Sequence, residues 1–161
     1  METNKKQANF FRFEDLRIYD KALEYNKWLV TILRAKTMSK AEEILTDDCL
    51  RTSTAIAKNI AEGSYHSRKD FEFYLKEAKA NVRECYVLSE LFMECNMFSM
   101  EEAEKSKEFL MELTRMLGAL IVSLNKKSGA KKDAVSLDDE DNNIVANSDK
   151  TEDNYEFNLD F

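Results

Sequence analysis

From Leu16 to Leu124, apolar side chains recur every three or four residues, the period of an α-helix rather than of a strand. The pattern predicts four helices. The first covers about Glu14–Ala35, with one row through Leu16, Tyr19, Leu23, Leu29, Val30 and Leu33 and a second through Ile18, Ala22, Tyr25 and Ile32. Two rows make a stripe wider than a lone bundle helix needs. The second helix covers about Ala41–Glu62, with Leu45, Cys49, Ile56 and Ile60 inward and many small residues in its second half. The third covers about Arg68–Cys95, its core row running Phe71, Tyr74, Leu75, Ala78, Val82, Cys85, Leu88 and Phe92. A second row there follows Phe73, Ala80, Val87 and Leu91. The fourth covers about Met100–Asn125, with Ala103, Ser106, Leu110, Leu113, Leu117, Leu120 and Leu124 at heptad-like spacing.

The boundaries carry their own signals. Gly63 stands where a left-handed residue would close the second helix. Ser67 and Asp70, and Ser99 and Glu102, have the spacing of reciprocal N-terminal caps. Four helices with short connectors imply an all-α fold, an antiparallel up-down-up-down four-helix bundle with an acidic C-terminal tail. The expected organisation is a basic leader at 1–12, the bundle at 13–127, and a linker with a disordered acidic tail at 128–161.

Composition sharpens this picture. Proline is absent and only three glycines occur, so the turns that a sheet protein needs have little to be built from. The net charge of −7 conceals two regions. Residues 1–132 hold 23 basic and 21 acidic side chains, whereas residues 133–161 hold one lysine and ten acids. The body is therefore near neutral and the tail sets the acidity, a composition that favours a solvated tail. The chain ends Tyr155-Glu156-Phe157-Asn158-Leu159-Asp160-Phe161, apolar at every second position. Two readings stand: a disordered end with incidental aromatics, or a peptide in which Tyr155, Phe157, Leu159 and Phe161 dock on an unidentified protein. No secretory leader and no run long enough to span a membrane is visible, and a cytoplasmic location with reduced core thiols at Cys49, Cys85 and Cys95 is the expectation.

Enzyme chemistry finds little purchase. The one histidine, His66, cannot supply the paired Glu-x-x-His motifs of a di-metal bundle. Gly63 is expected to break the helix between Glu62 and His66, leaving the histidine as a solvated loop residue. Arg51, the nearest preceding arginine, is too distant from His66 for an Arg-x4–6-His nuclease motif. No glycine-rich phosphate loop and no Cys–His nucleophile pattern is present. No catalytic residue, metal ligand or cofactor is assigned. Asn59, Glu62 and Glu84 lie on or beside apolar helix faces, where a carboxylate needs hydrogen-bond partners or water. They are read as a structural polar network joining the second and third helices, within one subunit or across two, with a ligand or catalytic role as the alternative.

The segments Phe13-Glu14-Asp15-Leu16 and Asn59-Ile60-Ala61-Glu62-Gly63, followed by Phe71, Tyr74, Leu75 and Ala78, resemble the 23S rRNA intervening-sequence proteins, also called the four-helix bundle protein family. Glu84 matches the first acid of that family's Glu-x-Glu, while the second falls on Tyr86. The likeness spans about residues 10–126. It implies a bacterial homopentamer, and a branch of the family serves retroelements by binding nucleic acid and reverse transcriptase.

Topology adds a separate expectation. In such a bundle the start of the first helix, the turn between the second and third, and the end of the fourth share one end. That end gathers Lys5, Lys6, Arg12, Lys58, Arg68, Lys69, Lys126, Lys127, Lys131 and Lys132. The other end gathers Glu42, Glu43, Glu94, Glu101 and Glu102 beside Arg34, Lys36 and Lys40. A basic rim attracts phosphate backbones without reading sequence. The expectation is weak RNA or DNA binding there, set against ordinary surface lysines on a near-neutral body. The acidic tail leaves from this end and can compete for it.

Overall fold

The computed structural model describes residues 11–127. A 3₁₀ turn, Arg12–Asp15, leads into four helices: α1 Arg17–Arg34, α2 Lys40–Gly63, α3 Arg68–Glu94 and α4 Met100–Lys127. No strand occurs among the described residues. α1 packs on α2, α2 on α3, α3 on α4, and α4 returns to α1, so the four helices enclose one core. The chain reverses at 35–39, 64–67 and 95–99. The ends meet accordingly: Lys36 Nζ lies 2.8 Å from Glu102 Oε2, joining the end of α1 to the start of α4. At the other end, the Phe13 ring lies 6.2 Å from Tyr65. The acidic tail of the sequence lies outside the described residues.

The core is built from Ile18, Ala22, Tyr25, Leu29 and Leu33 on α1, Cys49, Ile56 and Ile60 on α2, Leu75, Ala78, Val82, Cys85 and Phe92 on α3, and Leu110, Leu113 and Leu117 on α4. Each large aliphatic side chain contributes about 1.5–3 kcal/mol through its removal from water. On α1 the core takes residues from both predicted rows, Ile18, Ala22 and Tyr25 from one and Leu29 and Leu33 from the other, while Leu23 and Val30 are exposed. Leu23 and Val30 each follow a buried residue, Ala22 and Leu29, by about 100° around the helix, which carries them off the core face. On α3 both rows fall as the spacing predicts, with Phe73, Val87 and Leu91 facing outward.

Three boundaries differ from the sequence reading. The first helix does not run from Glu14: Leu16 is extended (φ −88°, ψ 108°) between the 3₁₀ turn and α1. That break folds Phe13 back onto Tyr19, ring centroids 4.8 Å apart. Gly63 is not left-handed; it is the buried last residue of α2. A Cβ there would stand 2.6 Å from Tyr74 Cβ and 2.8 Å from Phe71 Cδ2, so the glycine lets α3 approach closely. The left-handed residue is Asn96 (φ 58°), just past α3. The Met97 amide donates to the Phe92 carbonyl at 2.7 Å and the Asn96 amide to that of Met93 at 3.0 Å, which is a Schellman closure.

Of the expected caps, Ser99 and Glu102 form the full reciprocal pair, at 2.8 and 3.1 Å. Ser67 Oγ accepts from the Asp70 amide, but donates to the Asp70 carboxylate instead of leaving it to reach back. A further capping box, Ser39 with Glu42, opens α2. Its hydrogen bonds from Ser39 hold the Glu42 carboxyl below its ordinary value.

Candidate nucleic-acid interface

The buried polar groups are structural. Tyr25 Oη shares a hydrogen bond with Ser106 Oγ (3.0 Å), Ser106 with Ser89 (2.6 Å), and Ser89 donates to the Cys85 carbonyl (2.9 Å), tying α1, α3 and α4 together. Burial pushes the Tyr25 hydroxyl pKa far up. Asn26 joins α1 to α2 by donating to the Ser53 carbonyl (3.0 Å) and accepting from Ser53 and Thr54. Cys49 and Cys85 are buried, and the neighbouring Cys49 thiol, with desolvation, raises the Cys85 thiol; Cys95 is exposed, contrary to its expected core position.

The expected Asn59, Glu62 and Glu84 network does not form within the chain. No hydrogen bond among the described residues links the three. The backbone turns on past Gly63, with the Tyr65 amide on Glu62 and the His66 amide on Gly63. That turn brings the Glu62 carboxylate within 3.0 Å of His66 Nε2, the contact Gly63 was expected to prevent. His66 also stacks on Tyr74, centroids 5.2 Å apart. Glu84 is exposed, in phase with the outward row through Phe73, Val87 and Leu91.

The two ends of the bundle differ in how their cations are held. At the end where α2 and α4 start, Lys36 is bound by Glu102 and Lys40 by Glu43 (3.1 Å), while exposed Arg34 makes no ion pair among the described residues. Burial raises the Glu102 carboxyl, but Lys36 and Ser99 more than offset this and leave it below its ordinary value. At the opposite end, Arg12, Lys58, Arg68, Lys69 and Lys126 are exposed, and none makes an ion pair among the described residues. The acids nearby are engaged locally: Glu14 accepts from the Phe11 amide, Asp70 from Ser67, and Glu72 lies 3.2 Å from Lys76. Lys5, Lys6, Lys131 and Lys132 lie outside the described residues, as do Tyr155, Phe157, Leu159 and Phe161. Lys127 ends α4.

Sequence reasoning missed the apolar half of this end. Phe11 stacks on Phe13 (5.5 Å, 19°), and Phe13 meets Tyr19 and Tyr65. Phe13, Lys58, Asn59, Ala61, Glu62 and Tyr65 line a shallow groove. Tyr65 is 58% exposed. The signal was the Phe-Phe-Arg-Phe run at 10–13, whose return onto α2 depends on the break at Leu16.

No helix among the described residues is long and apolar enough to cross a membrane. No curated protein matches the chain. A crystal structure of a protein of unknown function from the S23 ribosomal protein family of Bacteroides thetaiotaomicron superposes with a TM-score of 0.60 at 26% identity, covering 65% of this chain and 97% of that one. The family model of the 23S rRNA-intervening sequence proteins matches residues 14–119. The chain belongs to the 23S rRNA-intervening sequence protein family.

Proposed function

We propose that this chain is a non-enzymatic, self-associating helical bundle of the cytoplasm whose basic end binds RNA or DNA. The observation that carries the reading is the contrast between the ends. Arg12, Lys58, Arg68, Lys69 and Lys126 have no ion-pair partner among the described residues, while two of the three cations at the other end, Lys36 and Lys40, are held by Glu102 and Glu43 and only Arg34 is not. Cations free of local carboxylates can exchange their counterions for phosphates.

Self-association is supported by the outward rows. Phe73, Val87 and Leu91 on α3 and Leu23 and Val30 on α1 leave apolar surface that a second copy would cover. A pentamer, as the family resemblance implies, would repeat the basic end around one rim and multiply weak phosphate contacts. The alternative is a protein-interaction scaffold that uses the acidic tail, favoured by the alternation of Tyr155, Phe157, Leu159 and Phe161.

Binding of RNA and DNA by the full chain, titrated over a salt series with mass measured alongside, tests the reading. Affinity that falls steeply with salt supports phosphate binding. Binding that persists in salt and requires the tail aromatics supports the scaffold. Removal of residues 133–161 is expected to strengthen nucleic-acid binding, because ten acids then no longer compete for the cations.

A further inference from the structure

The basic end carries exposed rings as well as charge, and simple phosphate attraction leaves these rings unused. Phe11, Phe13 and Tyr65 form one contiguous aromatic surface, with centroids 5.5 Å apart for Phe11 and Phe13 and 6.2 Å for Phe13 and Tyr65. Phe11 and Tyr65 keep 44% and 58% of their area exposed. The groove beside them is apolar along Phe13 and Ala61 and polar at Asn59, Lys58 and Glu62. Asn59 makes no side-chain hydrogen bond among the described residues, so its amide offers both a donor and an acceptor. Arg12 adjoins Phe11 and Phe13 in sequence, Lys58 lines the groove, and Arg68 and Lys69 begin α3 three residues after Tyr65.

The geometry points to a binding site for an unpaired nucleotide of a single strand: a base stacks on Tyr65 while the phosphates on either side meet Arg12, Lys58, Arg68 and Lys69. This rests on the nucleic-acid reading above and narrows it. Stacking needs a free π-face, and every base offers one once it leaves a helix. In a duplex those faces are covered, and only groove edges and phosphates remain. Cations flanking an aromatic surface suit a strand that alternates apolar bases with charged phosphates. An apolar peptide anchor would instead favour a deep, well-packed pocket, and this groove is shallow. Asn59 meets one base edge, and Glu62, held by His66, forms the acidic wall that phosphate avoids.

The test compares a short fluorescein-labelled oligouridine with a duplex of the same length at low salt, by anisotropy, using the full chain and single variants. Tyr65→Ala changes an exposed ring, and circular dichroism verifies that the helices remain. It is expected to weaken single-strand binding by roughly five- to hundredfold and to leave duplex binding within about twofold. Tyr65→Phe retains the ring and is expected to retain binding. Lys58→Gln weakens both ligands together, as the underlying charge reading requires. A 4-thiouridine probe is expected to crosslink to Tyr65. The inference falls if Tyr65→Ala binds the single strand as well as the parent while Lys58→Gln still weakens it; the charge reading then survives alone. If the parent binds neither ligand, both fall. Occupation of the groove by a peptide of residues 150–161, with no binding of oligouridine, also overturns it.

Discussion

Gly63 and Tyr74 are as close as two residues of neighbouring helices can be: a Cβ on Gly63 would stand 2.6 Å from the Cβ of Tyr74. The obstructing atom is fixed to the α3 backbone, so it cannot swing aside. Gly63→Ala must push α3 away from the end of α2. Overpacking of this kind costs about 1–3 kcal/mol, and only about 1 kcal/mol returns through better helix propensity. Thermal unfolding of Gly63→Ala is expected at a lower temperature than the parent, and Gly63→Val at a lower one still.

The left-handed turn lies thirty-three residues further on, at Asn96. Asn96→Gly is expected to leave stability level or raise it. Asn96→Val places a β-branched side chain at φ 58° and is expected to cost about 1–2 kcal/mol. Denaturant titrations of the two variants check the pair.

These two positions show what the sequence made legible. Apolar spacing fixes the helices, and serine three residues before an acid fixes two of their starts. A glycine after a helical run reads locally as a C-terminal stop. The fold uses it instead for close packing, because Phe71 and Tyr74 need the space. Only the path of α3 reveals that need. The same holds at α1, where Leu16 fits the apolar helical spacing and yet is extended, and the break lets Phe13 cover Tyr19. The cations of the basic end were legible from topology. The aromatic surface among them was not, since it depends on that break.

Glu102 makes stability depend on acid. Its folded-state pKa lies below the ordinary 4.5, so the unfolded chain binds the proton more readily. Stability from this group is present above the ordinary value and is lost as pH falls through the lower, folded-state value. Glu102→Gln is expected to destabilise the protein at neutral pH by up to about 1 kcal/mol, the usual range for a partly exposed pair. The gap between variant and parent should close below the folded-state value, as equilibrium unfolding across pH 3–7 would record.

The outward row of α3 provides the test of self-association. Val87 is 64% exposed and makes no contribution to the core. Val87→Glu, next to the exposed Glu84 and Phe73 row, is expected to reduce assembly mass without loss of helix content. Sedimentation velocity and circular dichroism on the same sample separate the two effects.

The central claim concerns the unpaired cations of one bundle end, and a salt titration of RNA and DNA binding by the full chain tests it most directly. Engagement of five phosphates by one chain predicts a log–log slope of about −3.5 on a single strand. Lys58→Glu with Lys126→Glu should flatten that slope and weaken binding. Binding that ignores salt, or that survives both charge reversals unchanged, would contradict the account.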